Sequence, residues 1–272
     1  MEEKCLHTPR GDVWYWISHC TDVTAPCLVL THGMTVDHTM FEPQEKHFAD
    51  DCTILAWDVP LHGKSRPYRD FSYENVAGDL AAILETEEIQ KAVLVGMSMG
   101  GFIVQELIAR RPELAAGFVA LDTAPLGNEL YSAFDRFWLR RTGAVARLYP
   151  DRLLRAAIAN NTCASESARR KMLEMITSST KDEICRQMEL VYGAFPVREQ
   201  PVNFPCPVRL MLGQYDKTGK VRQYNVNWAR RTGFPLEIIS NAAHFSNWDN
   251  PNAVNRAIEG IFRTIEEKPV NA

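Results

Sequence analysis

Apolar residues in this chain recur in two forms: short continuous runs, and longer stretches in which they return every three or four positions. The continuous runs are Cys27–Thr31, Thr53–Trp57, Ala92–Val95, Gly117–Leu121, Val208–Leu212 and Leu236–Ile239. Short apolar runs without alternation predict strands buried on both faces, as in a parallel sheet with helices above and below. The stretches with helical spacing, around Phe41–Phe48, Tyr73–Glu85, Gly101–Arg110 and Gln223–Arg231, fall between these runs. Strand and helix therefore alternate, which predicts an α/β architecture. Ahead of them, Glu3 to His7 and the β-rich Val13–Ile17 flank a Thr8-Pro9-Arg10-Gly11-Asp12 turn and predict an antiparallel hairpin, for eight strands in all.

The alternation fails between Pro125 and Pro205, where no strand pattern occurs. Leu130, Phe134, Phe137, Trp138, Arg141, Val145 and Leu148 form one stripe at helical spacing. Met172, Met175 and Ile176 form a second, and Ile184, Met188, Val191 and Phe195 a third. Such faces are expected to pack mainly against one another and the sheet. Pro201, Pro205 and Pro207 then lead into the next strand. The expected organisation is a core domain formed by 1–124 and 206–272, with a helical cap inserted at 125–205. The insertion follows the sixth strand, beside the carboxyl ends where α/β sheets bind ligands.

Bulk properties narrow the partners. The 272 residues carry a net charge of −4 and are 46% hydrophobic, giving no basic bias toward nucleic acid or anionic membranes. No apolar run reaches membrane-spanning length. The opening Met1-Glu2-Glu3-Lys4 lacks the apolar core of a signal peptide. Seven cysteines are scattered without CxxC spacing, so neither a disulfide framework nor a metal site is expected, and the cytoplasm is the expected location. Oligomeric state is not legible.

The candidate chemistry begins at Gly96-Met97-Ser98-Met99-Gly100. An apolar run precedes this serine and a helical stretch follows it, a strand–turn–helix context that lifts a hydroxyl out at the end of a sheet. A serine hydroxyl is a poor nucleophile until a base takes its proton and an acid orients that base. Both partners follow in the chain. Val208 to Leu212 leads into Gly213-Gln214-Tyr215-Asp216, and the last run leads into Asn241-Ala242-Ala243-His244. Asp216 and His244 thus lie just past the carboxyl ends of their strands, on the same edge as Ser98. Asp122, after the sixth strand, is the alternative acid. An oxyanion site is predicted from the main-chain N–H groups of Met34, beyond the His32-Gly33 turn, and Met99, next to the serine. His32 itself is read as a turn-stabilising residue.

Almost the whole chain resembles the α/β-hydrolase superfamily, in its capped, cofactor-free serine esterase and lactonase branch. Asp58-Val59-Pro60-Leu61-His62-Gly63-Lys64-Ser65 is similar to the family's turn after the fourth strand, with Leu61 where glycine is commoner. Leu121-Asp122-Thr123-Ala124-Pro125 resembles the strand leading into the cap, and Trp248-Asp249-Asn250-Pro251 the helix start after the histidine. The resemblance implies a mostly parallel eight-stranded sheet with helices on both faces and an inserted helical cap. It also implies hydrolysis of a small or medium hydrophobic ester or lactone by Ser98, His244 and Asp216, with no cofactor and no partner besides substrate and water. The same residues serve carbon–carbon bond hydrolases of ring-fission products and acyltransferases, and the fold also hosts silent binding proteins. Arg136, Arg140, Arg141 and Arg147 are candidate partners for a substrate carboxylate.

Overall fold

A computed structural model describes residues 1–127, 131–194 and 198–267. Its eight strands are β1 (Glu2–Thr8), β2 (Gly11–Ser18), β3 (Cys27–Thr31), β4 (Thr53–Trp57), β5 (Ala92–Met97), β6 (Ala115–Leu121), β7 (Val208–Gly213) and β8 (Leu236–Ile239). They form one sheet in the order β1-β2-β4-β3-β5-β6-β7-β8. β1 pairs antiparallel with β2 and β2 antiparallel with β4, while every other neighbouring pair is parallel. The hairpin, the six continuous runs and the parallel pairing match the sequence expectation, with strand ends shifted by one or two residues.

The runs are unbroken because both faces of the sheet are covered. α2 (Tyr73–Thr86), α3 (Met99–Arg110) and α9 (Val221–Thr232) lie on one face, where Leu80, Val104 and Trp228 pack with Val29, Leu94 and Phe118. α1 (Glu42–Phe48), which follows a short 3-10 turn at His38–Phe41, shares the other face with α11 (Pro251–Glu266). There Phe48 and Ile258 meet Leu30, Val95 and Leu121. Each such side chain contributes roughly 1.5–3 kcal/mol when taken out of water. Ser72 caps α2 through Asn75 N–H, and Asn250 caps α11 through Ala253 N–H, with Pro251 at its first position. α3 starts differently: Ser98 stands at its N-cap without a side-chain cap bond, so the hydroxyl is spared for another partner.

Between β6 and β7 lie α4 (Ala133–Leu139), α5 (Thr142–Arg147), α6 (Asp151–Thr162), α7 (Glu166–Thr177) and α8 (Lys181–Ala194), with no strand among the described residues. Ala146, Leu154, Ile176, Ile184 and Met188 form a small core of their own there. The stripe over 134–148 departs from expectation. Phe134 is 69% and Leu148 82% exposed, and Phe137, Trp138 and Val145 are also open to solvent. The stripe breaks at Arg140–Arg141 into two short helices, and α4 buries none of its residues. Leu130 and Phe195 fall outside the described residues. The remaining helix is α10 (Ser246–Asp249), and no described helix is long and apolar enough to cross a membrane.

Candidate active site

β5 ends at Met97, and the next residue, Ser98, turns the chain into α3 with φ 50° and ψ −115°. A non-glycine residue in this region carries roughly 1–3 kcal/mol of strain and persists only where neighbours fix it. Here the Ser98 N–H donates to Leu121 O at 2.9 Å, and the Ser98 carbonyl accepts from Thr123 Oγ1 at 2.7 Å. Close backbone packing does the rest. A Cβ on Gly96 would stand 2.6 Å from Gly101 Cα, and one on Gly100 would collide with the Thr31 carbonyl oxygen. The glycines are therefore required for β3, β5 and the start of α3 to lie this close.

His244 follows β8 and Asp216 follows β7, and both reach Ser98 from the carboxyl edge of the sheet. His244 Nε2 lies 3.0 Å from Ser98 Oγ. His244 Nδ1 lies 2.8 Å from Asp216 Oδ2. The carboxylate can only accept, so Nδ1 carries the proton and Nε2 accepts from the serine hydroxyl. Thr218 N–H donates to the other Asp216 oxygen at 2.8 Å. Burial pulls the His244 imidazole down, but the charge and hydrogen bond of Asp216, with Asp122 beyond, raise it above its ordinary value. Burial pushes the Asp216 carboxyl up, and the charge and hydrogen bond of His244 outweigh it, leaving the group below its ordinary value.

Asp122, the alternative acid, faces the same histidine but is committed elsewhere. Its Oδ1 accepts from Gly213 N–H at 2.7 Å and its Oδ2 from Ser246 Oγ. It therefore ties the end of β7 to the segment just past His244. Complete burial, together with the Asp216 charge, pushes its carboxyl up to about 8.

Met34 lies past β3, in a turn that presses against the serine: a Cβ on Gly33 would meet Ser98 Cβ at 3.5 Å. Met99 is the first residue of α3, so its N–H has no carbonyl one turn earlier in the helix to bond. His32 clamps the turn. Val59 N–H donates to its Nε2 at 2.9 Å, so the proton sits on Nδ1, which donates to Gly33 O at 2.6 Å. Burial keeps this imidazole neutral by lowering its pKa. In the neighbouring loop Leu61 adopts φ 75°, the left-handed conformation that favours glycine at this position.

Two cavities open on Ser98. One, of about 420 Å³, is lined by His244, Met34 and four further methionines, Met40, Met97, Met172 and Met188. The other, of about 480 Å³, is walled by Phe102, Tyr131, Phe134, Trp138 and Tyr224. Ser98, Tyr192, Thr218 and Gly219 line both. Sequence reasoning missed Tyr192: its place in a helical stripe marks it only as a spacing neighbour of buried residues. None of Arg136, Arg140, Arg141 and Arg147 lines either cavity. Arg136 bonds Tyr131 O, Arg141 lies over the Phe137 ring, and Arg147 pairs with Glu189 and Asp182.

A family model described as alpha/beta hydrolase fold matches residues 26–251. Among curated proteins, the chain is similar to 3-oxoadipate enol-lactonase 2 of Acinetobacter baylyi, 23% identical over 239 residues, covering 88% of this chain and 89% of that one. Among solved structures, a thermophilic esterase from Thermogutta terrifontis superposes with a TM-score of 0.79 at 20% identity, covering 97% of this chain and 99% of that one. The enol-lactonase from Burkholderia xenovorans LB400 gives 0.77 at 19% identity, over 96% of this chain and 100% of the other.

Proposed function

The chain belongs to the α/β-hydrolase fold family, and from that premise we propose that it is a serine hydrolase cleaving a small or medium hydrophobic carboxylic ester or lactone. The observation that carries this reading is the unbroken hydrogen-bond line Ser98 Oγ–His244–Asp216, at 3.0 and 2.8 Å. Ser98 Oγ attacks the carbonyl carbon while His244 Nε2 takes its proton. Asp216 holds the imidazole in the productive tautomer and stabilises its charged form. The Met34 and Met99 N–H groups receive the oxyanion, and water then releases the acid from the acyl-enzyme.

Residues 125–205 act in this reading as a cap over the serine. Ile158 of α6, Met172 of α7 and Met188 and Tyr192 of α8 support it, because they line the cavity that opens on Ser98. The enol-lactonase and esterase names of the relatives point to the same class of small acyl substrates. A cytoplasmic location belongs to the same proposal, supported by the scatter of seven cysteines without CxxC spacing.

The test is hydrolysis of p-nitrophenyl esters, from acetate to decanoate, by wild type and Ser98→Ala, alongside fluorophosphonate labelling. Ester turnover and labelling that both vanish in the variant support the reading, with a loss of several powers of ten. A wild type that neither labels nor turns over any ester or lactone overturns it in favour of a silent binding fold.

A further inference from the structure

The two cavities meet at Ser98 but are not equivalent, and the difference sorts the two halves of the substrate. This inference rests on the serine-hydrolase reading and deepens it. His244, which lies 3.0 Å from Ser98 Oγ, lines the methionine cavity and not the aromatic one. Met34, whose N–H is the proposed oxyanion donor, lines the methionine cavity as well.

The tetrahedral intermediate has four substituents on carbon. The bond from Ser98 Oγ forms as its proton passes to His244 Nε2, and the carbonyl electron pair moves onto the oxyanion facing Met34 and Met99. On collapse the carbon–alkoxy bond breaks, and the same proton passes from His244 to the leaving oxygen. The leaving oxygen must therefore stand on the side of His244, and the oxyanion on the side of Met34. Both directions belong to the methionine cavity. The fourth substituent, the acyl carbon chain, is left the aromatic cavity.

We infer that the aromatic cavity binds the acyl group and the methionine cavity the leaving alcohol, so that the substrate is an open-chain ester of a bulky uncharged acid and a flexible aliphatic alcohol. The linings agree with each part. Phe134, Trp138 and Tyr224 offer flat, rigid apolar surface to an acyl group. Lys220, a cation on that wall, is bound to Asp135 at 2.6 Å, so it does not favour a carboxylated acid. The five methionines opposite are unbranched and polarisable, and they adapt to alcohols of varied shape. Asn161 and Lys217, both exposed, border that cavity, so a polar end on the alcohol can reach water. A small lactone keeps acyl chain and leaving oxygen in one ring, and would leave one of these volumes, about 420 and 480 Å³, unused.

Two substitutions test the assignment by filling one cavity each. Val145→Trp enters the aromatic cavity from α5 at a position already 39% exposed, and Ala157→Trp enters the methionine cavity from α6. Each variant is assayed on two series, ethyl esters of acids from acetate to octanoate and acetates of alcohols from ethanol to octanol. Val145→Trp is expected to lower the octanoate-to-acetate ratio of kcat/KM by tenfold or more, without moving the octyl-to-ethyl ratio. Ala157→Trp is expected to do the reverse. Swapped responses, or both ratios falling together in both variants, overturn the assignment. If Val145→Trp or Ala157→Trp fails to fold, Trp138→Ala and Ala157→Leu test the same two ratios, with Trp138→Ala widening the acyl range. An enzyme that takes the fluorophosphonate label but hydrolyses only lactones also overturns the inference while leaving the serine-hydrolase reading intact. Absence of label and turnover together removes the parent reading instead.

Discussion

At the scale of single residues, the site depends on two carboxylates set apart by their partners. Asp216 faces a histidine that favours its ionised form, and Asp122 faces a main-chain N–H, a hydroxyl and its neighbour's negative charge. Asp216→Asn should lower kcat by about 10⁴-fold, because an amide there favours the wrong tautomer, whereas Asp122→Asn should leave kcat within about tenfold; steady-state rates on the best ester decide. The base must be neutral to act. Since the His244 imidazole lies above its ordinary value of 6.5, kcat/KM should fall with acid along a limb whose midpoint is above pH 6.5, read from a pH–rate profile. Asp122 also sets a stability trend. Its carboxyl ionises near 8 in the folded chain against 3.8 when unperturbed, so folding takes up a proton. The stability from that group is full at low pH and is lost as pH rises through this window. Asparagine stays neutral, so the advantage of Asp122→Asn in Tm should widen up to about pH 8 and then level off. The sequence pointed to Ser98 and His244 because motif and chain order suffice for them. It preferred Asp216 and kept Asp122 as the alternative because both stand at strand ends, and the choice depends on which one reaches Nδ1 across the β6–β7 register.

At the scale of elements, strands were more legible than helices. A run such as Thr53–Trp57 is buried on both faces, and its apolar span coincides with its hydrogen-bonded span. The stripe over 134–148 misled because helical spacing reports where apolar residues lie and not whether anything covers them. Phe134 and Trp138 are apolar and still exposed. The helix start at Ser98 was legible for a steric reason, the glycines at 96 and 100, and the same contact gives a prediction. Gly100→Ala drives a methyl group into the Thr31 carbonyl and should destabilise the fold by about 1–3 kcal/mol. Urea unfolding would measure this, with fluorophosphonate labelling slowed alongside because β3 carries the Met34 turn.

At the scale of the whole molecule, α4–α8 are joined to the sheet and its flanking helices by apolar packing, with Ala159, Cys163, Met172 and Met175 in the core that holds Leu30 and Leu121, and by polar ties. Arg66 reaches Ser178 O, Ser179 Oγ and Glu183, Lys171 pairs with Glu42 at 2.7 Å, and Gln187 donates to Leu61 O at 2.8 Å. The Gln187 bond is buried, and removing it leaves the Leu61 carbonyl short of a donor. Gln187→Leu should therefore speed amide exchange in α8 and the 58–65 loop while leaving the exchange of β5 and β6 unchanged.

The exposed aromatic face of α4 also bears on how such a protein changes over generations. Phe134 is 69% and Trp138 49% exposed, so changes there disturb the fold less than changes to fully buried side chains do. Yet both side chains wall a cavity that opens on Ser98. Gly100 and His32, wedged among main-chain atoms, have no such latitude. If the aromatic cavity holds the acyl group as proposed, selection can try new acyl groups on one rim of the molecule without disturbing the machinery beneath, and inheritance will hold the chemistry still while the diet drifts.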